Sequence, residues 1–308
     1  MVLAKRIALG VVGTAAAGLA YSAGYEVRSY RLRRFDVPVL PRGSRPLRIL
    51  HLSDLHITPG QRRKVEWVRG LAALEPDVVV NTGDNMAHVD AVPTAVEAME
   101  PLLDRPGVFV FGSNDYFAPR PKNPARYLLP LDWIRRDNQR DQADAIDLPW
   151  KDLRSELVAA GWLDLSNTRA TLDVDARRLS FAGVDDPHLN RDRLAEVAGP
   201  ADHDADVTIG VMHAPYLRVL DAFRNDGYRL LLAGHTHGGQ LCIPGVGAVV
   251  TNCDLEPRRA KGLSRHPAIG GPEAAWMHVS AGLGTSPYAP VRFACPPEAT
   301  LLTLVAEG

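Results

Sequence analysis

The sequence predicts an α/β fold built from layered sheets, and three observations carry that expectation. Short apolar runs recur along the chain, mostly rich in β-branched residues, and they end in polar residues capable of chemistry. Stretches with helical periodicity lie between them, and strands alternating with helices make layered sheets around a shared core. The composition agrees: of 308 residues, 46% are hydrophobic and 23% charged. Those proportions belong to a globular protein with a substantial core and exclude disorder and fibrous repeats.

The amino terminus stands apart. Lys5 and Arg6 precede an uncharged run over residues 7–25, Glu26 ends it, and Arg28, Arg31, Arg33 and Arg34 follow. About 18–20 apolar residues can cross a bilayer as a helix. This run is rich in Ala and Gly, and Ala20-Tyr21-Ser22-Ala23 also suits a signal cleavage site. Basic residues flank both sides, so the positive-inside rule gives no firm orientation. An uncleaved membrane anchor, a cleaved export signal and a soluble amphipathic helix all remain open. Residues 1–45 are set outside the catalytic fold, which is assigned to 46–308. Within 37–47, three prolines and a glycine suit a linker or a short edge strand.

Five expected strands lead into chemistry. Residues 48–52 precede Ser53-Asp54-Leu55-His56, and 77–81 precede Thr82-Gly83-Asp84-Asn85. Residues 107–111 precede Gly112-Ser113-Asn114-Asp115, 206–212 precede His213, and 228–233 precede Gly234-His235-Thr236-His237. Further strands are expected at 179–184, 276–281 and 299–305, and helices at 62–74, 94–103 and 217–223. The Pro-, Arg- and Asp-dense stretch 118–150 reads as an irregular insertion. Polar residues at strand carboxyl ends occupy the usual place for sites in α/β sheets.

Asp54 and His56 are two apart and share a face of an extended segment. Asp84 and Asn85 follow a glycine that permits a sharp turn. His235 and His237 repeat the alternating pattern, and His213 adds a fourth imidazole. Singly, each has an ordinary role: a strand-end His is often a hydrogen-bonded structural residue, and Asp often caps a helix or sits in a Gly-Asp turn. Together, two Asp and four His at four strand ends make a metal site the better reading. Mixed carboxylate and imidazole ligands suit Mn, Fe or Zn. The set is too large for one tetrahedral site with an open position. It fits two divalent cations sharing a carboxylate, an arrangement that clamps attacking and leaving oxygens in an in-line displacement. Asp185 and Asp186 close another strand, where a place in the site and a turn role explain them equally.

Asp54-Leu55-His56, Gly83-Asp84, His213 and Gly234-His235-Thr236-His237-Gly238-Gly239-Gln240 resemble the calcineurin-like metallophosphoesterases, over residues 48 to about 305. Ser280 to Pro287, Val291-Arg292-Phe293 and Pro297-Glu298 resemble a small bacterial subgroup with an N-terminal membrane segment. Some members of that subgroup act on lipid-linked phosphodiesters or pyrophosphates, including UDP-diacylglucosamine. The resemblance implies a four-layer α-β-β-α sandwich of two mixed sheets with a dinuclear site at strand ends. It implies one metal held by Asp54, His56 and His237, and a second held by His213, His235 and an asparagine oxygen. Asp84 would bridge them, with a bound hydroxide completing the bridge and attacking the phosphoester.

One segment departs from the family pattern. Gly-Asn-His-Asp or Gly-Asn-His-Glu is usual where this chain has Gly112-Ser113-Asn114-Asp115, so the histidine that protonates the leaving group is absent. Direct alignment puts Ser113 at the ligand position and Asn114 at the acid position. A one-residue shift, favoured because an amide oxygen is the better ligand, gives Asn114 the metal role. His88 is the nearest replacement acid in sequence, and an exposed loop histidine is its plainer reading. General acid catalysis contributes about 10²–10⁴ in rate, so slow hydrolysis of poor leaving groups is expected.

The expected function is a membrane-associated or exported metal-dependent hydrolase of phosphodiesters or pyrophosphates, lipid-linked substrates included. A metal-binding scaffold that recruits partners is the alternative. A nuclease is third, and no nucleic-acid partner is expected, because 35 basic and 36 acidic residues leave a net charge of −1. Cys242, Cys253 and Cys295 are odd in number without CxxC spacing, which argues against a disulfide framework or structural zinc.

Overall fold

The computed structural model describes residue 13 and residues 16–121, 145–271 and 273–308. Among them, two six-stranded sheets stack face to face. The first sheet has the order β1 (Arg31–Leu40), β14 (Glu298–Ala306), β2 (Leu47–Leu52), β3 (Val78–Asn81), β4 (Gly107–Phe109) and β5 (Leu163–Asp164). The second has the order β12 (Gly262–His266), β13 (Ala275–Val279), β9 (Leu230–Ala233), β8 (Val207–Val211), β7 (Arg177–Gly183) and β6 (Thr168–Val174). Both are mixed: β14 runs antiparallel to β2, β12 to β13 and β6 to β7, while the remaining neighbours are parallel. A short hairpin, β10 (Cys242–Ile243) and β11 (Gly247–Ala248), stands outside them.

Alternation explains the layering. Leu47 and Ile49 of β2, with Val78 and Val80 of β3, enter the core between the sheets, where they meet Phe181, Ile209 and Leu232. Leu50, Leu52 and Val79 point the other way. Helices α1 (Arg62–Gly70), α2 (Val92–Leu103), α3 (Ser113–Tyr116) and α4 (Trp150–Ala159) are followed by α5 (Leu194–Val197) and α6 (Leu217–Asn225). Apolar faces of α1, α2 and α4 cover the first sheet, and α6 covers the second through Val219, Leu220 and Phe223. The result is the four-layer α-β-β-α sandwich. Strands buried on both faces read as continuous apolar runs, and β3, β8 and β9 are such strands.

The sheet reaches further toward the amino terminus than the boundary at residue 45. β1 pairs in parallel with β14 from Arg31 to Leu40. Phe35, Val37 and Val39 face the core between the sheets, whereas Arg31, Arg33 and Arg34 nearer the start of the strand are exposed and mask the pattern. Pro38 is tolerated because β1 is an edge strand. Glu26, also buried, accepts backbone N–H bonds from Ala294 at 3.1 Å and Cys295 at 2.7 Å, tying the chain before β1 to the closing loop. Most of the expected insertion, residues 122–144, together with residues 1–6 and residues 7–12, 14 and 15 of the uncharged run, lies outside the described residues. Among the described residues no helix is long and apolar enough to cross a membrane.

A buried imidazole pair joins the two sheets. His51 of β2 and His278 of β13 are fully buried, with their Nδ1 atoms 2.8 Å apart. Burial holds His278 down to about 3 and His51 well below the usual imidazole range. The folded chain therefore keeps His278 neutral where the unfolded chain takes up a proton, below about pH 6.5. Stability is lost as pH falls from there toward 3. Replacing His278 by leucine is expected to flatten this decline by up to about 1.4 kcal/mol per pH unit. Urea unfolding between pH 6.5 and 4.5 checks it, and equal slopes for variant and wild type would refute it.

Candidate metal centre

The strand ends converge on one point. β2 delivers Asp54 and His56, β3 delivers Asp84, β8 delivers His213, and β9 delivers His235 and His237. Five of these six adopt left-handed backbone: Asp54 (φ 50°), His56 (φ 44°), Asp84 (φ 56°), His235 (φ 69°) and His237 (φ 49°). Such conformations cost roughly 1–3 kcal/mol each and persist only where surroundings over-determine them. Here they do. Asp54 N–H donates to Gly83 O at 2.8 Å, His56 N–H to Asp84 O at 2.9 Å, and Gly284 N–H to Asp54 O at 2.6 Å. His235 N–H in turn donates to the Asp54 carboxylate, 3.0 Å from Oδ2.

One ligand atom from each of Asp54, His56, Asp84 and His237 lies within 4.8 Å of the others. His56 Nε2 is 3.2 Å from His237 Nε2, and His237 Nε2 is 3.4 Å from Asp54 Oδ1. Asp84 turns Oδ2 toward this group, 3.5 Å from His56 Nε2, and Oδ1 toward His213, 3.5 Å from its Nε2. His235 Nδ1 is 3.3 Å from that same His213 nitrogen. The six residues singled out from sequence are thus gathered in one place, with Asp84 between two groups.

Backbone carbonyls set the imidazoles. His213 Nδ1–H donates to Thr82 O at 2.7 Å, His237 Nδ1–H to Gly284 O at 3.2 Å, and His235 Nε2–H to Asn252 O at 3.3 Å. Each bond fixes a ring orientation and turns the other nitrogen inward, the usual support of a metal-binding histidine. Burial holds His56 down to about 4 and His237 well below the imidazole range, so both are neutral donors of lone pairs. Burial also pushes Asp54 up to about 6, against the pull of His213. Burial opposes charge on Asp84 and His213, yet their mutual attraction wins: Asp84 sits well below the carboxylate range and His213 well above its own.

The Gly112–Asp115 segment forms the opening of α3. Asp115 accepts from the backbone N–H of Asp84 (2.8 Å), Asn85 (2.8 Å) and Gly112 (3.0 Å), locking this loop to the β3 loop. Asn114 reaches Asp84 twice: its backbone N–H donates to Oδ1 at 2.7 Å and its Nδ2 to Oδ2 at 2.8 Å. Its amide nitrogen faces the carboxylate, so a cation held by Asn114 requires the amide turned to present oxygen. His88 lies apart in an exposed loop, accepting from Asp90 N–H at 3.1 Å.

Sequence reading passed over two supports and one neighbour. Lys64 of α1 is buried and donates to Leu55 O at 2.6 Å, and burial brings its amine down to about 7. Arg292, fully buried, donates to Ala281 O and Gly284 O at 2.8 and 2.7 Å, shaping the loop that holds His237. His188 packs its ring 4.5 Å from that of His235 and bonds Tyr216 Oη at 3.0 Å. A helix-surface lysine and a histidine after Asp-Pro carry no distinctive sequence signal, and Arg292 entered only as part of the Val291-Arg292-Phe293 resemblance, without a role. Of the ambiguous aspartates, Asp185 accepts from Tyr116 Oη and Arg191 Nε, while Asp186 is fully buried and accepts from His188 N–H.

The residues present fit divalent cations. Buried carboxylates and imidazoles aim their ligand atoms at common points, a donor set that favours a cation. His56 Nδ1 and Asp186 Oδ2 are buried with no hydrogen-bond partner among the described residues. Glycines line the cradle: a Cβ on Gly112 would stand 2.3 Å from Asp84 Oδ1, and one on Gly234 would stand 2.5 Å from Asp54 Oδ2.

A four-layer sandwich with such a cluster at its strand ends is the architecture of a metal-dependent hydrolase. The family model for calcineurin-like phosphoesterases matches residues 47–239, and the chain belongs to that family. A transmembrane protein with metallophosphoesterase domain from Bos taurus is 29% identical over 223 residues, covering 70% of this chain and 46% of that relative. The chain thus spans about half the length of the bovine protein. An uncharacterized metallophosphoesterase from Aquifex aeolicus is 27% identical over 277 residues, covering 87% of this chain and 88% of its own. A solved dimetal phosphatase from Danio rerio superposes with a TM-score of 0.40 at 11% identity, covering 80% of this chain and 88% of that one. Family and cluster together support metal-dependent phosphoester hydrolysis.

Proposed function

We propose that the protein hydrolyses phosphodiesters or pyrophosphates, lipid-linked ones included, using two divalent cations chosen from Mn, Fe and Zn. Asp54, His56 and His237 would hold one, His213, His235 and the Asn114 amide the other, and Asp84 would serve both. The single observation that carries this reading is the split allegiance of Asp84, whose two oxygens face two different imidazole groups. Cations bound there supply Lewis acidity toward phosphoryl oxygens and lower the pKa of water.

The protein's own residues do the rest. Asp115 and Asn114 hold Asp84 in its bridging orientation through backbone and amide N–H groups. Backbone carbonyls keep three imidazoles in the ligating tautomer. At the start of α3, Ser113 and Asn114 offer no group that gives up a proton near neutral pH. Substrates whose leaving group departs as a stable anion are therefore favoured, which suits aryl diesters and pyrophosphates over alkyl esters.

Protein stripped with chelator and restored with Mn²⁺ is expected to hydrolyse bis(4-nitrophenyl) phosphate, and to lose activity steeply on alkyl diesters. Failure of any Mn²⁺-, Fe²⁺- or Zn²⁺-dependent turnover across a broad ester panel would refute the enzymatic reading. Metal binding that survives such a failure would favour the scaffold, the reading to which the missing imidazole at 113–114 points.

A further inference from the structure

Apolar side chains gather on one face beside the metal centre. The hairpin β10–β11 and its flanks, residues 241–250, contain no charged residue. Leu241, Ile243, Val246 and Val249 are exposed there, Val246 at the tip by 70%. Glycines at 245 and 247, both with positive φ, make the tip turn. Leu19, Tyr21 and Tyr25 of the segment before β1 are exposed as well. Phe293 joins the two groups: its ring meets Tyr21 edge-on at 6.2 Å, and its carbonyl accepts from Cys242 N–H at 2.8 Å. Ser22 O accepts from Arg292 N–H at 3.2 Å, so the segment is seated on the closing loop.

This face borders the centre. Leu241 follows Gln240, whose N–H donates to His237 O at 2.9 Å and whose carbonyl accepts from Phe293 N–H at 3.0 Å. Gln240 Nε2 donates to Ala289 O at 2.8 Å, and exposed Tyr288 stands next to it. Arg28 and Arg31 are exposed at the end of the segment, with Arg28 donating to the carbonyls of Ala23 and Gly24.

We propose that this face docks on the surface of a lipid bilayer, the hairpin tip entering the headgroup and acyl boundary while the metal centre faces the lipid headgroups. Contiguous exposed aliphatic side chains mark an interaction site. What selects lipid is the company they keep. Tyrosines at the margin suit the interface, and exposed arginines favour an anionic leaflet. The described end of the uncharged run, residues 16–25, meets the same face through Tyr21 and Ser22. Resting on the phosphoesterase reading, this names the substrate's physical form: an amphipathic phosphoester presented from the membrane.

The test uses the full-length, metal-loaded protein with an environment-sensitive fluorophore on Val246→Cys, the native cysteines being buried. Vesicles of mixed phosphatidylcholine and phosphatidylglycerol, with and without brominated acyl chains, supply the surface. A blue shift and bromolipid quenching are expected at 246 but not at a Val158→Cys label on α4. Val246→Asp is expected to lower hydrolysis of a vesicle-embedded lipid pyrophosphate by about ten-fold or more, leaving bis(4-nitrophenyl) phosphate turnover within about two-fold. An unshifted label at 246, whether the protein binds vesicles through its leader, pairs with a second copy or stays in solution, would overturn the docking inference. Equal loss on both substrates would overturn it too. An immersed tip without metal-dependent hydrolysis of either substrate would instead sink the phosphoesterase reading and leave the docking face standing.

Discussion

Asp84→Asn is expected to lower metal-dependent turnover on the order of 10³-fold or more, since it removes the one carboxylate that serves both groups of ligands. The substitution is isosteric, and the backbone bonds that hold residue 84 come from Asp115 and Asn114, which it leaves in place. It does remove the negative charge, and one of its two side-chain positions becomes an N–H₂ that repels a cation and faces the Asn114 amide. Metal content measured alongside the rate separates the causes: occupancy should fall with turnover while the thermal midpoint of metal-free protein stays near that of wild type. Retention of half the wild-type rate would remove Asp84 from the centre of the mechanism. In a scaffold the same change would leave partner binding largely intact.

Gly112→Ala should be nearly as damaging, for a purely steric reason. Gly112 has ordinary extended backbone (φ −117°), so alanine meets no conformational penalty there. Its Cβ would nevertheless lie 2.3 Å from Asp84 Oδ1 and 2.6 Å from the His213 ring. Neither neighbour can retreat, because Asn114 N–H holds Asp84 at 2.7 Å and Thr82 O holds His213 at 2.7 Å. Overpacking of this kind costs about 1–3 kcal/mol, and displacement of two ligands should abolish tight metal binding. Gly70→Ala, where a Cβ meets nothing within 4 Å, is the control. Metal titration and thermal unfolding of both variants decide it. Wild-type affinity in Gly112→Ala would show the cradle to be looser than described.

The interior strands were legible because burial on both faces leaves an unbroken apolar run, as in Val78-Val79-Val80, with a turn glycine or a charged residue at its boundary. The six Asp and His residues were legible because each follows such a run. Edge strands were not. Of β1 only the stretch from Val37 suggested an edge strand, because four charged residues fill the strand before it, and β12 is only partly buried along Gly262–Arg265. Nor was the backbone visible: nothing in the sequence around Asp54 and His235 signals the left-handed conformations that only the assembled loops enforce. Lys64 reads as one more polar position of an amphipathic helix. Its inward turn onto Leu55 O depends on where the β2 loop ends, which local pattern does not encode. The same holds for Arg292, whose partners lie eight to eleven residues upstream and in the His237 turn.

The direction of β14 has a practical consequence. Its first residue pairs beside the closing loop, and its last pairs near the start of β2, so nine residues at about 3.3 Å each carry the chain roughly 30 Å away. Gly308, gripped by Arg42, therefore sits at the opposite pole from the reactive end. A purification handle or reporter fused after Gly308 would leave the catalytic opening unobstructed.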